Sequence, residues 1–517
     1  MPDLDYRRRL LVLAVCCMSL LIAGVDTTAV NVALPAIRRD LTASVSGLQW
    51  TVDGYTLAVA GFLMLAGSTA DRIGRRRVFR FGVAMFTLGS LACSLAPGLS
   101  WLVAFRVVQG LGASMLNPVA LSILTTTFTD RRERTRAIGV WSGTIGLSLA
   151  LGPVVGGLLV GAAGWRSVFW INIPVGAAAF VLAGWFVPES RAAGARRADP
   201  VGQVLAVAVM VAIVGAIIEG ARAGYGSPLI VGLFAVGISG AVMLVRYERR
   251  REQPLIDPAF FRSIPFTGAA FAAVAAFTAM AGFLFLNTLY LQDVRGYGAL
   301  HAGLLTVPLA GATAISSPIS GRITARYGPR PPLVAAGVLV AVSAVMLTML
   351  TPATSLPVLL VAYALFGTGF GLVNTPITNT AVSGMPRSQA GVSAAIASTG
   401  RQIGNSLGVA VVGSIVTARA GGVSGGGSFS AASHLGFWVL AGCGALVAVV
   451  GIVTTTRWAA ASAARVAAGF SGTSPTVADQ SAVAVAPSPT RSCEQRRIVG
   501  ASSLRVAILG AARKVNR

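Results

Sequence analysis

The chain has 517 residues, 55% of them hydrophobic and only 11% charged, with a mean hydropathy of +0.75. Soluble domains of ordinary size are not this apolar, so the composition describes a membrane protein. The formal charge of +24 comes from arginine, with Lys514 the sole lysine, and sits in short clusters between apolar runs, which excludes a nucleic-acid partner and points to the lipid bilayer.

A helix rises about 1.5 Å per residue, so a hydrocarbon core of about 30 Å needs roughly 20 apolar residues. In chain order such runs lie near 10–33, 48–66, 78–97, 101–124, 138–160, 168–187, 201–218, 229–246, 266–289, 302–320, 332–351, 356–377, 391–416 and 435–455, about fourteen in all. The first follows Arg7, Arg8 and Arg9 like a signal peptide, but it continues to about Leu34 without a small-residue cleavage site and reads as an uncleaved span. With a cytoplasmic N-terminus, the inner segments before the tail hold 24 arginines and the outer loops 6. This positive-inside asymmetry requires an even number of spans and puts both termini in the cytoplasm; twelve spans result if 201–246 does not cross.

The expected organisation is an all-α, multi-pass protein of the cytoplasmic membrane. Residues 1–190 form a six-helix bundle, 191–262 two linking spans and a cytoplasmic interfacial segment, and 263–456 a second six-helix bundle. Residues 457–517, rich in Ala, Ser, Val and Pro, read as a disordered cytoplasmic tail. A weak repeat supports the two halves: GSTADRIGRRR at 67–77 is echoed by GRITARYGPR at 321–330, and transporters built from such halves bind near the midplane between them. The five cysteines lack paired spacing, and His301 and His434 are isolated, so neither disulfides nor a metal site is expected.

Several separated strings carry more specific information. Span one contains Asp26-Thr27-Thr28 and then Asn31-Val32-Ala33-Leu34-Pro35. Span two opens Gln49-Trp50-Thr51-Val52-Asp53-Gly54-Tyr55. The loop after it carries Gly67, Asp71, Arg72, Gly74 and Arg75. Span four contains Arg106-Val107-Val108-Gln109-Gly110-Leu111-Gly112, and span five has Gly139, Ser148, Gly152, Pro153, Gly156 and Gly157. On these strings, over about residues 7–456, the chain resembles the major facilitator superfamily, specifically its fourteen-span drug:proton antiporter branch of actinobacterial-type antibiotic resistance and export proteins.

The resemblance implies the major facilitator fold, two six-helix bundles with two extra helices between them. It makes 67–77 the family's motif A, a conformational switch; 102–113 its motif B, tied to proton coupling; and the span-five glycines its motif C, which marks antiporters. Thr69 and Ser148 depart from the usual Leu and Gly, and Ala325 replaces the acid of the second-half repeat, so only Asp71 is carried over as a switch acid. Gly67 would permit close helix approach, and Asp71 would dock on a helix N-terminus in one conformer and release it in another. Pro153 weakens the local hydrogen-bond ladder, as a bending hinge would require.

A charge at mid-bilayer costs roughly 2.5 to 3.5 kcal/mol on insertion scales, so a surviving charge faces a cavity or a partner. Asp26, Asp53 and Arg106 fall at similar depth in the outer half of the first bundle. Two acids against one guanidinium leave one carboxylate to be neutralised by a proton. Asp26, deeper and inside the signature, is the favoured carrier, with Asp53 its alternate or partner. Arg401 has three readings: answering an anionic substrate group, reaching Asp26 or Asp53 across the cleft, or bonding backbone carbonyls. Asn31, Gln109, Arg401 and Gln402 are the polar candidates for the substrate cavity, and Phe283, Phe285, Phe366 and Phe370 either line an apolar pocket or pack the core.

The expected function is proton-coupled efflux of an amphipathic drug, antibiotic or natural product by alternating access. The chain would act as a monomer, with no cofactor beyond the proton gradient. Proton-coupled uptake of a small metabolite is the alternative. Two histidines, no phosphate-binding Gly-Lys loop and no metal pair speak against an enzyme.

Overall fold

A computed structural model of the chain describes residues 5–192, 199–251, 257–383, 385, 390–420 and 426–471. Among these residues the structure is helical throughout and has no strand. The first helices are α1 (Tyr6–Asp40), α2 (Val45–Ile73), α3 (Arg75–Ser94), α4 (Leu99–Thr127) and α5 (Arg131–Ala163). A short α6 (Ser167–Trp170) and α7 (Asn172–Phe186) complete the first half, and α8 (Pro200–Ala223) and α9 (Pro228–Glu248) follow. After a 3-10 turn at Pro258–Arg262 come α10 (Ile264–Leu289), a π-helical turn (Tyr290–Val294), α11 (Ala299–Leu305), α12 (Val307–Tyr327), α13 (Arg330–Leu347), α14 (Leu356–Ser383), α15 (Ala390–Ala420), α16 (Gly426–Val453) and α17 (Arg457–Ser471).

Each of the apolar runs read from the sequence coincides with one of these helices or with the pairs α6–α7 and α11–α12. Most helices overrun the apolar stretch, because the backbone ladder continues into polar flanks. Among the described residues, twelve segments are long and apolar enough to cross a membrane. That set omits α3, which opens with Arg75, Arg76 and Arg77, and α15, which carries Arg401. Both are nevertheless packed among their neighbours, α3 on α4 and α7, and α15 on α2, α8 and α10.

In the first half α1 packs on α4, α5 and α7, and α2 on α3 and α4; in the second, α10 packs on α14, α15 and α16, and α13 on α14 and α16. The halves meet where α2 faces α15, α5 faces α11 and α12, and α1 faces α10. Apart from Arg106, the largest buried side chains are aromatic, including Phe79 and Phe86 in the first half and Phe283, Phe285 and Phe366 in the second. Leu95, Trp185, Leu229, Ile238 and Met349 instead stand on the outside, as lipid-facing side chains do.

The helices between the halves differ from each other. α9 buries only Ile230, Gly237 and Glu248. α8 is held to α2 at two levels, by Gln203 donating to the Gly61 carbonyl and by Trp50 Nε1 donating to Glu219 Oε1 at 2.8 Å. Its link to α15 is Ser414 Oγ donating to the Ile217 carbonyl at 2.7 Å.

The expectation of a disordered tail from residue 457 fails for its first fifteen residues, which form α17. That helix is Ala-rich and so has high intrinsic propensity. It docks through Ser462, whose hydroxyl accepts the Ile264 N–H at 3.0 Å and so satisfies an open donor at the start of α10. Residues 472–517 lie outside the described part of the chain.

Candidate functional site

The buried charges assemble first. Arg106 and Gln109, three residues apart on α4, share a face directed at α1. Arg106 Nη1 lies 2.5 Å from Asp26 Oδ2 and 2.7 Å from Gln109 Oε1, while Gln109 Nε2 donates to Asp26 Oδ1 at 2.8 Å. Asn172, at the start of α7, donates to the same Oδ1 at 2.8 Å, and Ser90 of α3 accepts from both Gln109 and Asn172. Arg106 Nε donates to the Thr51 carbonyl at 3.1 Å, and its guanidinium carbon stands 4.2 Å from the Tyr55 ring centroid. Both members of the pair are 1% exposed. Five helices thus converge on a carboxylate with both oxygens engaged by charge-assisted bonds, the condition under which a buried ion pair is tolerated.

Asp53 is placed differently. It is fully buried on α2, where Oδ1 accepts from Ser406 of α15 at 2.8 Å and from Thr56 at 3.2 Å. Its Oδ2 has no hydrogen-bond partner, and among the described residues no cation comes within ion-pair distance. This geometry suits a neutral carboxyl group, because an ionised one would keep an unpaired charge out of water. The sequence grouped Asp26, Asp53 and Arg106; the structure joins Asp26 to Arg106 and sets Asp53 apart, at the seam between the halves.

The seam is concentrated toward the Asp40 end of α1. Gln49 Nε2 donates to the Val409 and Ala410 carbonyls at 3.1 and 2.8 Å, and Gln292 Nε2 donates to the Val32 carbonyl at 2.8 Å. The glycines of α5 face two ways. A Cβ at Gly156 would stand 2.8 Å from Ala29 Cα on α1, and one at Gly152 would collide with Thr28. A Cβ at Gly157 would stand 2.5 Å from the Ala299 carbonyl and 2.8 Å from Leu300 Cα, on α11 of the other half. A Cβ at Gly303 of α11 would likewise collide with the Pro153 carbonyl. Ser148 is buried and its carbonyl accepts from Thr28 at 3.4 Å, whereas Gly139 is exposed with open space around it. The α5 run from Ser148 to Gly157 therefore packs α5 on α1 and closes the seam at once, and Gly139 takes no part.

At the opposite end lies the turn between α2 and α3, seen here in one conformer. Asp71 does not dock on a helix N-terminus: its Oδ1 accepts from Arg75 Nη2 at 2.8 Å and Nε at 3.1 Å. Glu189 fills that role, accepting the Arg76 N–H at 3.1 Å in the first turn of α3, with Arg76 and Arg77 guanidinium groups 3.8 and 3.6 Å away. Gly74 is required here twice over. Its φ of +129° disfavours any side chain, and a Cβ would meet the Glu189 carboxyl carbon at 2.8 Å. Gly67 is at no tight crossing, since its nearest neighbour would be Pro118 Cβ at 3.8 Å, and Arg72 is exposed.

The cavity candidates scatter. Gln109 is consumed by the Asp26 cluster. Asn31 is buried one turn beyond Thr27 toward the Asp40 end of α1, its Nδ2 donates to the Thr27 carbonyl at 2.8 Å, and its Oδ1 is unpartnered. Among the described residues Arg401 reaches neither acid nor backbone carbonyl: it donates to Thr378 Oγ1 at 2.6 Å, with its Nε unpartnered. Gln402 is half-buried and accepts from Asn405 at 3.3 Å. Phe283, Phe285, Phe366 and Phe370 are core, Phe283 stacking on Phe366 at 4.5 Å between centroids.

Gln49, Ser90, Asn172, Glu189 and Ser406 are the site residues that sequence reasoning missed. Gln49 stood inside the span-two string quoted above, which was its only signal.

A family model described as the Major Facilitator Superfamily matches residues 16–409. Multidrug resistance protein Stp of Mycobacterium tuberculosis is 38% identical over 412 residues, covering 80% of this chain and 76% of that protein. The tetracenomycin C resistance and export protein of Streptomyces glaucescens is 36% identical over 408 residues, covering 78% and 76%. Among solved structures, a bacterial homologue of the human lysosomal transporter Spinster, in an inward-facing and unoccupied conformation, superposes with a TM-score of 0.62. It is 19% identical and is matched over 91% of this chain and 100% of its own.

Proposed function

This chain belongs to the Major Facilitator Superfamily, and we propose that within it the protein exports an amphipathic drug, antibiotic or natural product in exchange for protons. The resistance and export proteins it resembles support the direction and the substrate class. The observation that carries the coupling is Asp53, buried without a cation and bonded to Ser406 across the seam.

The arginine asymmetry supports a cytoplasmic Tyr6 end and a seam at the outer face; in this reading the chain crosses the membrane fourteen times and works as a single copy. Asp53 carries the transported proton, and the Asp26–Arg106 pair is the fixed charge beside it. In the outer-closed form Asp53 is protonated and neutral. Release of its proton toward the cytoplasm leaves a carboxylate facing Ser406 with no counter-charge, which destabilises the seam and favours opening outward with drug bound. Water reaching the opened seam returns a proton from outside, drug leaves, and the seam closes. Each proton moving inward supplies about 2.3 kcal/mol per 100 mV of membrane potential. No cofactor is needed.

Energised inverted vesicles presented with a panel of amphipathic antibiotics test the reading. Drug should accumulate inside and protons should leave in step with it. Absence of accumulation across the panel, or accumulation that dissipating the proton gradient does not abolish, rejects it.

A further inference from the structure

Arg401 is a charge inside a span that the proton-exchange reading does not use. From the middle of α15 its Nη2 donates to Thr378 Oγ1 of α14 at 2.6 Å, and its guanidinium carbon stands 6.0 Å from the Phe277 ring centroid on α10. Thr378 is set to receive this bond, because its own proton goes to the Asn374 carbonyl at 3.1 Å. A guanidinium has five N–H groups to place. Here one neutral oxygen engages it, Nε is enclosed without a partner, and no acid among the described residues comes within ion-pair distance. Residues 264–456 hold a single acid, Asp293, and Arg38 engages it at 3.5 Å. An ionisable group kept inside a span without a counter-ion marks a place where a charged ligand passes.

The surroundings are reachable and amphipathic. Phe277, Asn374, Thr378, Arg401 and, one turn along the same face, Asn405 are all half-buried, so open space borders this part of the α10–α14–α15 junction. Phe277 is backed by Phe370 in an edge-on contact with centroids 5.1 Å apart. Gln49 meets α15 at Val409 and Ala410, and Asp53 meets it at Ser406. Arg401 lies five residues beyond Ser406, about 7.5 Å along the axis, on the Tyr6 side of the closed seam.

Resting on the export reading above, we propose that the substrate site takes an amphipathic carboxylic acid, its carboxylate on Arg401 and its apolar body toward Phe277. The guanidinium fork suits a carboxylate in two-point contact. A small inorganic anion would shed its hydration shell for one cation beside an aromatic wall, whereas an acid with an apolar body also gains from burying that body.

Calorimetric titration of the full-length protein in lipid nanodiscs tests this, with fusidate, mupirocin and nalidixate each compared with its own methyl ester and empty nanodiscs as the blank. The ester keeps the apolar body and loses the charge, so at least one acid should bind the wild type about tenfold or more tighter than its ester. Arg401→Gln should remove that margin and leave ester affinity unchanged, and Arg401→Lys, charged but without the fork, should fall between. Thermal unfolding of ligand-free Arg401→Gln should be unchanged or raised, because the variant takes an unpaired cation out of the interior. The proposal is overturned if no acid outbinds its ester, if Arg401→Gln weakens acid and ester alike, or if that variant unfolds at a lower temperature. Neutral or cationic drugs accumulating in energised inverted vesicles while no acid binds would sink this proposal and keep the export reading; acid-selective binding without accumulation of any drug would do the reverse.

Discussion

Ser406 of α15 donates its hydroxyl to Asp53 of α2 at 2.8 Å, joining the two halves through a carboxyl group that no cation neutralises. The amide of Asp53→Asn reproduces the neutral form, so this variant should fold, bind drug and exchange drug for drug across the membrane. Drug-dependent proton release in inverted vesicles should fall at least about tenfold, as expected when a carrier's essential acid is lost. Ordinary coupling in the variant would move the proton site elsewhere.

Asp26→Asn is expected to behave differently. It strands Arg106 without its counter-ion inside five packed helices, and breaking a buried pair costs about 3 to 5 kcal/mol. Thermal unfolding in detergent should therefore show a large loss for Asp26→Asn and a smaller one for Asp26→Asn combined with Arg106→Gln, whose amide can still meet Gln109. A double variant that loses as much as Asp26→Asn and Arg106→Gln added together would mean that the pair contributes no coupling energy.

The two variants separate roles that the sequence presented together. Asp26 and Arg106 were legible because a charge inside an apolar run is rare, and their common depth followed from counting residues along helices. What could not be read was which acid the single arginine takes. That depends on the rotation of α2 against α4, and no periodicity in either string fixes it. Ser90, Asn172 and Ser406 were hidden for a related reason. Neutral polar side chains in membrane helices often bond back to their own backbone, as Thr27, Thr51 and Ser114 do here, so polarity alone does not announce a tertiary partner. The spans themselves were legible because twenty consecutive apolar residues leave few alternatives. The helix at 457–471 was not: it does carry a helical hydrophobic rhythm, but one built from alanines and read together with the Ala-, Ser- and Pro-rich stretch that follows it.

Gly157→Val should act on the seam and leave the α1–α5 contact intact. Its side chain would enter the space of Ala299 and Leu300, so the outer-closed form should lose population. Cysteines introduced near the Asp40 end should become more reactive to a membrane-impermeant maleimide, with little change in unfolding temperature. Gly139→Ala, in open space, should change neither.

Glu189→Gln should remove the charged cap of α3 and weaken its hold on Arg76 and Arg77. Loss of such a cap costs about 1 kcal/mol. Calorimetry should register a drop of that order, whereas Asp71→Asn, which breaks an exposed i,i+4 pair, should register less than about 0.5 kcal/mol. The reverse ranking would show that Asp71 bears the greater load in this turn.

Much of the closure between the two halves is made of main chain. Gln49 and Gln292 address carbonyl oxygens at Val409, Ala410 and Val32, and Gly157 and Pro153 abut the backbone of Ala299, Leu300 and Gly303. Every residue type supplies a carbonyl, so these hydrogen bonds do not depend on which side chains stand at Val409, Ala410 and Val32. Those side chains are fixed instead by the core they fill, so the same positions carry two separable duties: a volume-conserving exchange there keeps the door's bonds, whereas a change of size disturbs the packing behind it.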